Sequence, residues 1–238
     1  MQGVAIITGG TGTIGAAIAD LLQERGQTIV IADVDERPVR EGQTFVRCDA
    51  TDPKSVASMF AAAQVLGKIT TVVVAHGIGM KTIPGSADPA IVSKVIDVNL
   101  KGAAFVCDCA SDFLEEGSAI LLISSMSAHM GRLGFFAYAY QVSKAGIETL
   151  TRLHAVAYGP RGIRVNCVAP GFMVQPMKGE GTEMRAQSGG NESANDLLPL
   201  RRLITEGEIA EAAAFLCSDS ARTITGVVLP VDSGMRAL

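Results

Sequence analysis

Seven short apolar runs recur along this 238-residue chain, and stretches of helical character separate them almost throughout. They are Val4–Ile7, Gln27–Ala32, Thr44–Arg47, Ile69–Ala75, Ala119–Ile123, Ile163–Val168 and Thr225–Val231. Most lack the polar–apolar alternation of a strand with one wet face. A continuous apolar run marks a strand buried on both sides, and a helix between successive strands makes them parallel. The pattern predicts an α/β fold, one parallel sheet with helices on both faces. No internal repeat or break in composition divides the chain, so residues 1–238 are expected to form one domain. One segment stands apart: residues 178–196 are rich in glycine, serine, glutamate and asparagine, and read either as a surface loop or as a lid over a site.

Composition narrows the class of partner. Nearly half the residues are apolar and only 18% are charged, which is a core-forming balance. The net charge of −4 and the lack of a Lys/Arg cluster argue against nucleic acid. No apolar run approaches the ~20 residues of a membrane span. The first strand begins by Val4, leaving no room for a signal peptide, so a cytoplasmic protein is expected. Cys48, Cys107, Cys109, Cys167 and Cys217 are odd in number and scattered among apolar neighbours, as buried thiols in a reducing compartment would be; no metal site is expected.

Between the first strand and a helix around Ile14–Glu24 lies Thr8-Gly9-Gly10-Thr11-Gly12-Thr13-Ile14-Gly15. Glycines there allow a tight turn and let the backbone approach a pyrophosphate seated on the helix N-terminus. Such a turn gains meaning when an acid follows about 20 residues on, and Asp33 closes the second run. A carboxylate at that point accepts bonds from both adenosine ribose hydroxyls and repels a 2′-phosphate. No basic residue occupies the turn or immediately follows Asp33, and Arg37 and Arg40 read as solvated charges. The expected cofactor is therefore NAD rather than NADP.

Tyr140 and Lys144 are four residues apart, which places them on one face of a helix. A cation beside a phenol stabilises the phenolate and suits the pair to acid–base work. Tyr138 has Val142 at the same offset and so lacks a lysine. Ser125 lies fifteen residues before Tyr140, with Ser127 as its rival and Ser124 expected to cap or pack at the strand end.

With these pieces in order, the sequence resembles the short-chain dehydrogenase/reductase family, in its single-domain branch of about 250 residues, from Val4 to Gly234. Further matching segments are Cys48–Asp52, Val98–Gly102, Ile123–Ser127, Gly159–Asn166, Pro170-Gly171 and Val231–Gly234. The resemblance implies a doubly wound Rossmann sheet and reversible hydrogen transfer between NAD and a secondary alcohol or ketone. It gives Tyr140 the proton exchange, Lys144 the lowering of the tyrosine pKa and the nicotinamide ribose, and Ser125 the substrate oxygen. Asn99 would fix a water that extends the proton path. Cofactor contacts would come from Gly9, Thr11, Gly12, Thr13, Ile14, Gly15, Asp33, Asp49, Ala50, Ala75, Gly77, Tyr140, Lys144, Pro170, Gly171, Met173 and Gln175. The segments Asn99–Leu114 and Lys144–Ala157 would pair subunits into a homotetramer.

The chain departs from the family pattern in three places. Thr13 replaces a glycine, and its hydroxyl can donate to a phosphate. Val74-Ala75-His76-Gly77 stands where relatives carry Asn-Asn-Ala-Gly. Gln175 replaces the threonine that meets the carboxamide. The stretch from Asp33 to Cys48 is also short, with room for a turn in place of a helix. Family position makes Met126, His129, Phe135, Phe136, Tyr138, Met173, Met177 and residues 178–196 the pocket walls, which favour an alicyclic, aromatic or terpenoid alcohol. The alternative is that some of these pack the core or a subunit interface. His129 reads as a surface histidine, His76 as packing behind the cofactor, and His154 as lacking a partner. Arg132 is a candidate for a carboxylate, while Arg201 and Arg202 would close the loop region. Two further readings stand beside this one: a 3-oxoacyl-thioester reductase, which Asp33 disfavours, and a non-catalytic nucleotide-binding or scaffold protein, which would not need the intact set of four.

Overall fold

The computed structural model describes residues 3–130, 137–174 and 198–238. Among these residues, seven strands form one sheet: β1 (Val4–Thr8), β2 (Thr28–Asp33), β3 (Gln43–Arg47), β4 (Ile69–Val74), β5 (Ala119–Ile123), β6 (Arg164–Pro170) and β7 (Val228–Val231). All pairings are parallel, in the order β3-β2-β1-β4-β5-β6-β7. The chain builds outward from β1 to β3, then crosses back to place β4 on the other side of β1. This reversal opens a crevice at the carboxyl ends of β1 and β4, the usual ligand position in an open α/β sheet. The expected doubly wound architecture is what forms.

The helices among the described residues are α1 (Thr13–Glu24), α2 (Pro53–Val65), α3 (Pro89–Ile96), α4 (Gly102–Phe113), α5 (Tyr138–Tyr158) and α6 (Glu206–Cys217). One core layer packs α2, α4 and α5 on the sheet through Met59, Phe60, Val106, Cys107 and Ile147. The opposite layer packs α1 and α6 through Ile18, Leu22, Ile209 and Ala213. No helix of the described residues is long and apolar enough to cross a membrane.

Local chemistry sets the helix starts. Asp52 caps α2 by accepting from the Lys54 amide at 3.0 Å, and Asp88 caps α3 from the Ala90 amide at 2.9 Å, each with proline in the first turn. Thr205 and Glu208 close a capping box on α6. α5 borrows its cap, because Thr82 Oγ1 accepts from the Ala139 amide at 3.1 Å. α1 starts differently: Gly12 occupies its cap with no side-chain bond, and its first turn carries no acid.

The Ala119–Ile123 strand forms as expected, and the other strands differ from expectation by one to three residues at one or both ends. Gln27 lies outside β2, its amide nitrogen donating to Thr71 Oγ1 at 2.9 Å. The last strand starts at Val228 because Asn166 holds the preceding segment, donating to Ile224 O at 2.8 Å and accepting from the Val227 amide at 3.2 Å. No helix forms between β2 and β3, as the short spacing predicts.

Candidate active site

Two glycines make the crevice passable at the end of β1. Gly9 has φ +66°, and a Cβ added there would stand 2.5 Å from the His76 backbone at the end of β4. A Cβ on Gly15 would stand 2.3 Å from Gly9 O, so the first turn of α1 sits directly on the glycine loop. Asp33 lies at the end of β2 facing this loop. Its Oδ2 accepts from the Thr11 amide at 3.2 Å and the Thr11 hydroxyl at 2.7 Å, and its Oδ1 accepts from the Asp35 amide at 3.3 Å. Arg37 pairs with Asp35 and Arg40 with Glu24, so the two arginines nearest in sequence are engaged with other acids at the surface.

Asp49 follows β3, its Oδ1 accepting from the amide and hydroxyl of Thr51 at 2.9 and 2.7 Å. Ala50 is buried beside Gly102, whose added Cβ would lie 3.2 Å from Ala50 Cβ and 3.0 Å from His76 Nε2. His76 therefore packs between the glycine loop and the start of α4. Its Nδ1 shares a hydrogen bond with Thr8 Oγ1 at 2.7 Å, and burial followed by the Lys144 charge pushes its pKa down to about 4.

Lys144 is 4% exposed, and its Nζ donates to Ile123 O at 2.8 Å. That bond draws the ammonium to the carboxyl end of β5, while its Nζ lies 5.6 Å from the centroid of the half-buried Tyr140 ring. Burial lowers the lysine pKa to about 8 against a smaller opposing effect of Cys167, so roughly nine-tenths is protonated at pH 7. Gly77 gives this charge room: an added Cβ would lie 3.3 Å from Nζ and 3.4 Å from Asn99 Oδ1.

Asn99 is fully buried in a π turn (Asp97–Lys101) that joins α3 to α4. Such a turn is a common local distortion at functional sites. Asn99 accepts from the Ile78 amide at 2.8 Å and donates to Ile78 O at 2.9 Å and Ser143 Oγ at 3.0 Å. Both amide hydrogens are used. A water approaching the Asn99 side chain is left with one Oδ1 lone pair.

Ser125 caps a 3₁₀ turn (Met126–His129) after β5. Its Oγ accepts from the Ser127 amide at 3.2 Å and the Ser127 hydroxyl at 2.8 Å. Ser127 thus acts as a donor to Ser125, and the Ser125 hydrogen is left to donate elsewhere. Ser124 turns inward and donates to Lys144 O at 3.0 Å, as expected of a packing serine. Pro170 ends β6 and Gly171 follows against Asp232, where an added Cβ would lie 2.6 Å from the Asp232 Cα. Met173 is buried in the α1/α6 core layer. Gln175, Met177, Phe135, Phe136, Arg132 and residues 178–196 lie outside the described residues.

Some side chains depart from the sequence reading. His129 is 34% exposed at its side chain but bonds the buried Glu148 at 2.6 and 2.7 Å, so it is not a stray surface group. His154 has a partner in Asp108 at 3.0 Å. Glu148 itself was not singled out, although its position four residues after Lys144 is the signal that would have found it. Arg47 stands beside Asp33 in the β2–β3 register, a proximity invisible across fourteen residues of sequence.

The residues present fit a dinucleotide. The uncapped start of α1 offers its first-turn amides to a pyrophosphate. Gly9 and Gly15 hold the loop where any side chain would collide, and Asp33 ends β2 with its carboxylate bonded to Thr11 of that loop, a position suited to a ribose.

Comparison with known proteins agrees with this geometry. A family model described as enoyl-(acyl carrier protein) reductase matches residues 9–236. The cis-4-hydroxycyclohexanecarboxylate dehydrogenase of Sinomonas cyclohexanicum is 37% identical over 252 residues, covering 99% of this chain and 97% of that protein. The mitochondrial borneol dehydrogenase of Lavandula x intermedia is 30% identical, covering 98% and 90% respectively. Among solved structures, the aldohexose dehydrogenase of Thermoplasma acidophilum superposes with a TM-score of 0.88 at 26% identity, covering 100% of this chain and 95% of that one. A glycine loop on an uncapped helix, a tyrosine and buried lysine on one helical face, and relatives matched nearly end to end place the chain in the short-chain dehydrogenase/reductase family.

Proposed function

We propose that this protein is an NAD-dependent dehydrogenase of secondary alcohols with an apolar, carbocyclic body. The observation that carries the reading is the buried Lys144 ammonium 5.6 Å from the Tyr140 ring centroid. A positive charge held this close in a low-dielectric setting favours the phenolate. When bound, NAD supplies the acceptor for the hydrogen that leaves the carbinol carbon with its electron pair. Gly9, Thr11, Gly12, Thr13, Ile14 and Gly15 would hold its pyrophosphate, Asp33 the adenosine ribose, and Asp49 with Ala50 the adenine. Ala75, Gly77, Lys144, Pro170, Gly171 and Met173 would line the nicotinamide end, with Gln175.

In this reading Tyr140 takes the substrate hydroxyl proton at its phenolate oxygen. Ser125 donates its remaining hydrogen to the same substrate oxygen, with Ser127 fixing the orientation of Ser125. Lys144 holds the phenolate state of Tyr140. Asn99 fixes the 77–78 segment beside Lys144, and its main-chain carbonyl takes the water that carries the proton outward.

Asp33 supports NAD over NADP, and the two arginines nearest it in sequence, Arg37 and Arg40, pair with other acids, while Arg47 beside it in the sheet is a cation within reach of the same edge. The alicyclic substrates named for the Sinomonas and lavender relatives support a carbocyclic alcohol here. Leu153 and Val156, 62% and 79% exposed on α5, support pairing of that helix with another subunit in a homotetramer. Five free cysteines, four of them buried, suit a cytoplasmic location.

The test is initial-rate kinetics with NAD⁺ and NADP⁺ against cyclohexanol, 4-hydroxycyclohexanecarboxylate, borneol and carveol. Turnover of at least one alcohol with a higher kcat/KM for NAD⁺ is expected. Preference for NADPH with an acetoacetyl thioester would instead favour the thioester reductase. Tight NADH binding with no turnover of any of these would favour a non-catalytic role.

A further inference from the structure

Glu148 is 3% exposed on α5, one turn beyond Lys144 and two beyond Tyr140. A carboxylate removed from water is stable only where its lone pairs are met. Its partners come from both sides of Ser125. Ser124, immediately before, shares its one hydroxyl hydrogen between Lys144 O at 3.0 Å and Glu148 Oε1 at 3.2 Å. His129, four residues after, donates Nε2–H to Oε1 and Oε2 at 2.7 and 2.6 Å. The same turn is tied again where Gln141 donates to Met130 O at 2.8 Å. One carboxylate therefore clamps the two flanks of the Ser125 turn onto the helix that carries Tyr140 and Lys144.

We propose that Glu148 and His129 are positioning residues that hold Ser125 in register with Tyr140 for the reaction. The proposal rests on the functional reading above, in which Ser125 donates to the substrate oxygen. Glu148 does not reach that oxygen: eight residues of helix separate it from Tyr140, about 12 Å along the axis. They act through the backbone of residues 124–129. A carboxylate is required rather than an amide, since a glutamine would turn an N–H₂ group toward either the imidazole N–H or the Ser124 hydroxyl. Lys144 from α5, Cys167 from β6 and His129 are the titratable groups around this carboxylate.

The experiment is a double-mutant cycle in NAD⁺ with the fastest alcohol of the panel above, using His129→Ala, His129→Gln, Ser125→Ala and the His129→Ala/Ser125→Ala pair. His129→Ala leaves the buried Glu148 short of a partner, so thermal melts check folding, and His129→Gln keeps a donor for the carboxylate. We expect His129→Ala to lower kcat by about ten- to a hundredfold, the scale of a small misplacement of a reacting group. KM for NAD⁺ should stay within about twofold, and His129→Gln, whose amide reaches the carboxylate, should recover part of the loss. In the Ser125→Ala background the same substitution should change kcat by less than about twofold. Wild-type kcat in His129→Ala, or an equal loss with and without Ser125, would overturn the proposal. Wild-type kcat in Ser125→Ala would instead remove the role of Ser125 itself, and the proposal with it.

Discussion

Replacing Lys144 with methionine is expected to separate the stability of this fold from its activity. The ammonium sits 4% exposed, and burial lowers its pKa from the ordinary 10.5 to about 8. The unfolded chain therefore binds more protons than the folded one between about pH 8 and 10.5. The corresponding destabilisation of the folded state is fully present below pH 8 and fades as pH rises through that window. It amounts to roughly 3 kcal/mol at pH 7 and under about 1 kcal/mol at pH 10. Methionine keeps the volume and removes the charge, but it leaves Ile123 O without its donor, a loss of about 1–3 kcal/mol that does not depend on pH. At pH 7 the two effects nearly offset, so Lys144→Met should be about as stable as wild type, or more stable by up to about 2 kcal/mol. At pH 10 the same variant should be up to about 2 kcal/mol less stable than wild type, a relative shift of roughly 2–3 kcal/mol between the two pH values. Urea unfolding of both proteins at the two pH values, without dinucleotide, reads this directly. A stability difference that stays constant between pH 7 and pH 10 would refute the buried, shifted ammonium, and with it the source of the charge beside Tyr140.

Other substitutions probe the rest of the account. Asp33→Ala should narrow the ratio of kcat/KM for NAD⁺ over NADP⁺ by at least about tenfold, since it removes the charge that repels a 2′-phosphate; parallel kinetics with both dinucleotides measure it. Arg164, 8% exposed, donates to Leu216 O, Cys217 O and Ser218 O at the end of α6 and to Ile224 O. Arg164→Ala should cost about 2–4 kcal/mol in denaturant unfolding, as those carbonyls lose their donor and the helix end its compensating charge. Gly9→Ala combines a positive φ with a Cβ 2.5 Å from the His76 backbone. It should destabilise the fold by about 1–3 kcal/mol and weaken NADH binding measured by calorimetry.

What could be read from the sequence follows the range of the interactions involved. Tyr140 and Lys144 were legible because one helical turn fixes their relation, and the glycine loop because strand, loop and helix are contiguous. Asp33 was legible by its place at the end of the second apolar run. The contacts that finish the site are long-range. His129 reaches Glu148 across nineteen residues, Asn99 reaches Ser143 across forty-four, and Thr82 caps α5 from fifty-seven residues away. No local pattern encodes such meetings. The late start of β7 is partly of the same origin, because Asn166 holds Ile224 and Val227 while Gly226, at φ +78°, interrupts the extended backbone. The preference for Ser125 over Ser127 rests on the family resemblance, and the structure adds that the amide and hydroxyl of Ser127 both meet Ser125 Oγ.

Turnover of Tyr140→Phe beside wild type, with NAD⁺ and the best alcohol of the panel, bears most directly on the central claim. Phenylalanine keeps the ring in its place on α5 and removes only the oxygen that exchanges the proton. The account predicts a fall in kcat of at least about a hundredfold, with NADH affinity unchanged within about threefold. A variant that binds NADH normally and retains most of the wild-type turnover would contradict it.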